Sequence, residues 1–223
     1  MNNLEGRVIV VTGGSGGIGI VASELMAERG AHVVLAELDG DRADIEAKRL
    51  SNKGLKATAI QTDVANKKSV GAMVEEVSSR LGRIDGLVNN AAILRADNIE
   101  AETLEQFQRV MAVNCESVFL GIQNCLPLMS KPGAAIINVC SSSAEMGYPQ
   151  FCAYTASKAA VRARPDDLEG ALQAMPDDFK KALEPFRAEG AAERAPPSVD
   201  AQAAQAAGVE SQLKRLEAAQ AGL

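Results

Sequence analysis

From residue 7 to residue 161 the chain alternates short β-branched runs with longer segments whose apolar residues recur at helical spacing. The β-branched runs are nearly continuous in their hydrophobicity, the mark of strands covered on both faces. They cover Arg7–Thr12, Ala31–Ala36, Lys56–Gln61, Asp85–Asn89 and Ala134–Val139. The segments between them predict helices over Gly17–Glu28, Asp41–Asn52, Lys67–Leu81, Thr103–Arg109 and Val113–Met129, the last carrying Pro127 near its end. A further helix starts near Cys152. Parallel strands need crossovers, and helices supply them, so this alternation predicts a parallel sheet with helices on both faces.

The pattern stops near residue 163. Arg164 to Leu223 contains no Ile and no Thr, and its only β-branched residues are Val199 and Val209. The stretch is alanine-rich and carries Pro165, Pro176, Pro185, Pro196 and Pro197. No buried strand is expected in it. Asp167–Ala174 and Asp177–Glu184 read as short helices, each announced by a proline. Glu189–Ser198 reads as a linker and Asp200–Ala221 as a helix. On that helix Val209, Leu213, Leu216 and Leu223 form one thin apolar stripe, suited to packing on the body or on another chain.

Composition narrows the function classes. The chain has 223 residues, a net charge of −6 and 47% apolar residues. An acidic chain with no long basic run and no Trp is not built for nucleic acid or an anionic membrane surface. Cys115, Cys125, Cys140 and Cys152 form no CxxC pair and His32 is the only histidine, so no metal site is expected. Neither a signal peptide nor an apolar stretch of membrane-spanning length is visible. The expected setting is the cytoplasm, with reduced thiols.

The first candidate site is Thr12-Gly13-Gly14-Ser15-Gly16-Gly17-Ile18-Gly19, between a strand and a helix. Glycines permit the tight turn and let a pyrophosphate approach the backbone, while the helix N-terminus offers free N–H groups. Glu37 lies just beyond the second strand, where a carboxylate can accept from adenosine ribose hydroxyls and repel a 2′-phosphate. With no Arg or Lys in the glycine turn, this favours NAD over NADP. A solvated Glu at a strand end also fits. Asp63-Val64 and Asn89-Asn90-Ala91-Ala92 close the third and fourth strands, where open α/β sheets bind ligands; singly, each also reads as a cap or turn. Cys140-Ser141-Ser142-Ser143 ends the fifth strand. A hydroxyl there can polarise a carbonyl, or the segment is simply a serine-rich loop. With one histidine at the wrong end of a strand, a Ser–His–Asp triad is not credible. Finally, Tyr154 and Lys158 lie four apart, one helical turn. An ammonium beside a phenol favours the phenolate, a general acid/base suited to a chain with one histidine.

Taken together, the TGGSGGIG turn, Asp63-Val64, NNAA, Asn114 in Met-Ala-Val-Asn, the serine after Ile-Ile-Asn-Val and Tyr-Thr-Ala-Ser-Lys resemble the short-chain dehydrogenase/reductase family over residues 5 to 162. The resemblance implies an α/β fold: a Rossmann-like doubly wound parallel sheet in 1–163, C-terminally truncated, followed by a helical alanine-rich tail in 164–223. It implies Tyr154 as acid/base and Lys158 as its partner and a ribose ligand. Ser141 polarises the substrate carbonyl, and Asn114 holds a water in a proton relay. Gly13, Ser15, Gly17, Ile18, Gly19, Glu37, Asp63, Val64, Asn89 and Ala91 become cofactor-binding positions, with Tyr154 and Lys158. Ala92 replaces the more usual glycine of the fourth-strand motif. The implied reaction interconverts a secondary alcohol and a ketone by hydride transfer with NAD. A homo-oligomer is implied, paired through the Val113–Met129 helix and the helix from Cys152.

The chain departs from the family after Val161-Arg162-Ala163, where a long strand, a Pro-Gly turn, a substrate loop and a last strand are expected and none is visible. Two other readings therefore stand beside the enzyme: a nucleotide-binding remnant with little turnover, and a scaffold whose helical tail mediates protein interaction.

Overall fold

The computed structural model describes residues 4–129 and 133–162, which belong to one unit of the chain. The expected helices and linker of the alanine-rich stretch lie outside the described residues.

Five parallel strands form the sheet: β1 (Val8–Thr12), β2 (His32–Glu37), β3 (Lys56–Gln61), β4 (Gly86–Asn89) and β5 (Ala135–Asn138). Their order is β3-β2-β1-β4-β5. The chain winds outward from β1 to β3, then crosses back to β4 on the other side of β1. The switch point therefore falls between β1 and β4, where ligands bind in such sheets. Helices α1 (Gly17–Glu28), α2 (Gly40–Asn52), α3 (Lys67–Leu81), α4 (Leu104–Met111), α5 (Ser117–Cys125) and α6 (Cys152–Arg162) complete the unit.

Side chains leave a strand alternately to opposite faces, and here both faces are apolar. Val8 and Val10 of β1, with Val34 of β2 and Leu87 of β4, pack on Val70, Met73, Val74 and Val77 of α3 and on Cys125. Ile9, Val11, Val33, Leu35 and Val88 point the other way, onto Ala27 of α1 and Ala47 and Leu50 of α2. Each fully buried aliphatic side chain of this kind contributes about 1.5–3 kcal/mol. The helices are delimited as their sequences require. Asp39, Asn66 and Thr103 cap α2, α3 and α4 with their side chains, and Gly82 ends α3 at φ 75°.

At the amino ends of the strands a buried carboxylate ties the sheet together. Asp85 accepts from Val8 N at 2.9 Å, Arg7 Nη1 at 3.1 Å and Arg83 Nη2 at 2.5 Å. Burial opposes its charge, but Arg83, the Val8 N–H and Arg7 together hold the carboxyl below its ordinary value.

The strand ends differ from expectation by a residue or so, and one such shift matters: Glu37 is the last residue of β2, not the first beyond it. The helix expected over Val113–Met129 is instead composite. After α4 the chain passes through a π turn, Ala112–Glu116, then α5, then a single 3-10 turn at Leu126–Leu128 holding Pro127. Proline lacks the N–H that a continuing α-helix needs, and the regular helix ends before it.

Candidate functional site

The glycine turn is locked in place by its neighbours. Gly13 has φ 63°, and a Cβ there would sit 3.1 Å from Ala91 Cα. At Gly14 a Cβ would meet Val11 O at 2.9 Å and Leu35 at 3.0 Å; at Gly19 it would lie 2.1 Å from Gly13 O. Side chains are therefore excluded by contact at 14 and 19 and by backbone conformation at 13. Gly13 N donates to Ala36 O at 2.8 Å, stitching the turn to the end of β2. Helix α1 then begins at Gly17 with no side-chain cap and no acidic residue in its first turn. Gly19 N is already bonded to Gly16 O at 2.8 Å, which leaves the N–H groups of Gly17 and Ile18 and the positive dipole end as the part of the helix start suited to an anion.

A second seam joins β1 to β4 at the switch point. Thr12 Oγ1 accepts from Asn90 N at 3.0 Å and Ala91 N at 3.1 Å and donates to Val88 O at 3.3 Å. Asn90 Nδ2 donates back to Thr12 O at 3.0 Å and Gly13 O at 3.2 Å. Thr12 and the Asn90 side chain thus hold the turn; both lie in motifs read from the sequence, but neither was given a role of its own there. Asn89, by contrast, is buried and donates to Asn138 Oδ1 at 2.8 Å, so its side chain joins β4 to β5.

Glu37 projects at the rim with both carboxylate oxygens engaged: Oε2 accepts from Ser15 Oγ and Oε1 from Leu38 N, each at 2.9 Å. Asp63 Oδ1 accepts from Ala65 N at 3.0 Å, which makes the residue a turn former as well as a wall of the site. His32 starts β2, at the opposite end from this rim, with Nε2 2.8 Å from Thr58 Oγ1. Burial holds its imidazole below the ordinary value.

Tyr154 and Lys158 share one face of α6, with Lys158 Nζ 5.9 Å from the centre of the Tyr154 ring. Lys158 is 3% exposed and donates to Val139 O at 2.9 Å, so the end of β5 anchors it. Burial lowers its pKa, and nearby Cys140 opposes that shift. Asn114 sits in the π turn, a helix irregularity common at functional sites. Its Oδ1 accepts from Ile93 N at 2.8 Å, and its Nδ2 donates to Ile93 O at 2.9 Å and Ser157 Oγ at 3.0 Å. Ser157 Oγ in turn donates to Tyr154 O at 2.7 Å. Asn114 thus reaches the tyrosine's helix through a buried serine that the sequence did not single out. Ser141 opens a 3-10 turn, and its Oγ accepts from Ser143 N at 3.1 Å.

One cleft of about 560 Å³ connects these parts. Gly13, Gly17, Ile18, Glu37, Asp63, Val64, Ala91, Tyr154 and Lys158 line it. Ser15, Gly19, Asn89, Asn114 and Ser141 stand behind or beside its walls. Two cations unmarked by any motif, Arg42 and Arg109, also line it. Arg42 lies in the first turn of α2 while Glu37 ends β2, a placement that only the path of the chain between the two elements reveals.

The short chain dehydrogenase family matches residues 7–174. The chain belongs to this family. An oxidoreductase of Thermotoga maritima is 38% identical over 170 residues, 76% of this chain and 66% of its own. A 3-beta-hydroxysteroid dehydrogenase of Comamonas testosteroni is 36% identical over 162 residues, 73% of this chain and 63% of its own. Among solved structures, a gluconate 5-dehydrogenase from Burkholderia cenocepacia in complex with NADP and tartrate is 35% identical with a TM-score of 0.68, covering 72% of this chain and 63% of that one. This family member therefore spans less than two thirds of the length of these relatives.

Proposed function

We propose that the chain is an NAD-dependent oxidoreductase that interconverts a secondary alcohol and a ketone. One observation carries the reading. The uncapped, glycine-lined start of α1, the carboxylate of Glu37 and the Tyr154–Lys158 pair all border the same cleft. The donor set fits a nicotinamide dinucleotide. Its backbone N–H groups suit a pyrophosphate, Glu37 suits ribose hydroxyls, and the clefts formed at switch points suit such elongated ligands. Glu37 favours NAD, although the gluconate 5-dehydrogenase above binds NADP.

In this reading the bound cofactor accepts or supplies the hydride, and the protein supplies position and charge. Tyr154 Oη takes the hydroxyl proton in oxidation and returns it in reduction. Lys158, held by Val139 O, keeps its Nζ 5.9 Å from the centre of the Tyr154 ring and within reach of a ribose. Asn114, acting with Ser157, fixes α6 against the loop at Ile93, and a water on Asn114 extends the proton path. Ser141 polarises the carbonyl oxygen. The cysteines are all free, which agrees with a cytoplasmic setting. Exposed Phe119 and Leu126, on and beside α5, favour a homo-oligomer paired through that helix and α6.

The test has two stages. Titration with NADH, followed by nicotinamide fluorescence, is expected to give saturable enhancement. Tyr154→Phe is then expected to abolish turnover of secondary alcohols while NADH binding remains saturable. A folded chain that binds no NADH sinks the proposal. A second reading, nucleotide binding with little turnover, is favoured by one feature: Ser141 does not line the cleft, and its hydroxyl oxygen already accepts from Ser143 N. Saturable NADH binding with no Tyr154-dependent turnover would select it.

A further inference from the structure

Glu37 is oriented by one side chain, and that side chain is buried in the phosphate turn. Ser15 is 1% exposed and its hydroxyl donates to Glu37 Oε2 across 22 residues of sequence. The hydroxyl has little freedom to move. Its preceding neighbour, Gly14, is pressed so closely on Leu35 and Val11 O that no side chain fits there, and Gly13 N is bonded to Ala36 O. The other carboxylate oxygen accepts from Leu38 N. One oxygen is thus tied to the turn and the other to its own strand end. Each keeps a lone pair for a further donor.

Without Ser15 the carboxylate would be tied on one side only. A cation, Arg42, lines the same cleft, its Nη2 3.8 Å from where a Cβ on Gly16, beside Ser15, would stand. Its guanidinium has no hydrogen-bond partner among the described residues. A carboxylate that swings toward Arg42 no longer presents acceptors to a ribose and no longer sets a fixed negative charge against a 2′-phosphate.

We infer that Ser15 is the positioning residue for nucleotide selectivity: its hydroxyl holds Glu37 where the carboxylate accepts an unmodified ribose and rejects a 2′-phosphorylated one. The inference rests on the dinucleotide-binding function proposed above and adds the residue that sets its discrimination. It differs from a contact between Ser15 and the nucleotide, because the effect of Ser15 must vanish when Glu37 is absent.

The experiment is a double-mutant cycle on binding of NADH and NADPH to the full chain, read by calorimetry for wild type, Ser15→Ala, Glu37→Ala and the pair. The quantity compared is the ratio of the two dissociation constants, which a loss of folded protein leaves unchanged. Wild type is expected to prefer NADH. Ser15→Ala should shrink that preference by about tenfold, the scale of one hydrogen bond to a charged group. Adding Ser15→Ala to Glu37→Ala should change the ratio no further, a result that survives even if the single variant folds poorly. A preference unchanged by Ser15→Ala overturns the inference alone, as does an equal effect of Ser15→Ala with and without Glu37. A folded wild type that binds neither nucleotide overturns the proposed function and this inference together.

Discussion

Replacing Gly19 with alanine puts a methyl group where the turn leaves no room. Its Cβ would stand 2.1 Å from Gly13 O and 2.9 Å from Asn90 Nδ2. An ordinary carbon–oxygen contact needs about 3.3 Å, so the two must part by more than about 1 Å. Neither yields freely. Gly13 is tied through its N–H to Ala36 O, and its carbonyl receives Asn90 Nδ2. Overpacking of this kind costs about 1–3 kcal/mol, and the loss of one hydrogen bond adds about 1 kcal/mol. A chain of this size loses about 2–4 °C of Tm per kcal/mol, so circular-dichroism melts are expected to fall by about 5–15 °C. The displaced turn should also weaken NADH binding by at least about tenfold. Gly17→Ala is the internal control. Gly17 has φ 45°, but a methyl group there would meet no atom within 4 Å, so only backbone conformation resists the change. That costs about 1–2 kcal/mol. If Gly19→Ala melts within about 2 °C of wild type, or if Gly17→Ala is the worse of the two, the packing argument for the turn fails.

Asp85→Asn replaces the buried carboxylate that accepts from Val8 N, Arg7 and Arg83 with a neutral amide, and with both arginines partly solvated it should cost about 1–3 kcal/mol by urea denaturation; no measurable loss would show that solvent screens the pairs. Because the Asp85 carboxyl is held below its ordinary 3.8, its stabilisation is complete above that pH and fades as pH falls through the lower folded-state value. Asp85→Asn should therefore flatten the acid limb of the stability curve. Thiol reagents should label exposed Cys140 and Cys152 quickly and Cys125 only on unfolding, since burial pushes the Cys125 thiol up to about 12. NADH should protect Cys140, which lines the cleft, and not Cys152; equal protection of both would contradict the placement. Glu37→Ala should raise affinity for NADPH severalfold by leaving Arg42 to meet the 2′-phosphate, and Arg42→Ala in that background should remove the gain.

The strands, most helices and the glycine turn were legible because their signals are local. β-branched runs, a glycine cluster between strand and helix, and a tyrosine and lysine one turn apart all lie within a few residues of each other. What escaped was set by pairing across the sheet. Ser15 meets Glu37 only because β1 and β2 run in register from Val8↔His32 to Thr12↔Ala36. Thr12 meets Asn90 because β4 lies beside β1, 78 residues along. Neither hydrogen bond leaves a spacing that a sequence pattern detects. The π turn at Asn114 was missed for a related reason. Hydrophobic periodicity reports which face is buried, and one looser turn changes that face little. Ser141 was chosen by resemblance, which says nothing of where its hydroxyl points.

The two margins of the sheet are guarded differently. β3 ends the sheet on one side with an exposed Lys56 and an exposed Gln61. Among the described residues β5 ends it on the other, with Ala135, Ile136, Ile137 and Asn138 and no charge, and Ile137 is 44% exposed. Lysine on an outer strand discourages strangers from adding to it, whereas an uncharged isoleucine pair invites them. Chains are therefore expected to stick to one another at the β5 margin during refolding. Yield should drop with protein concentration, and Ile137→Lys should recover it by giving this margin the guard that Lys56 gives the other.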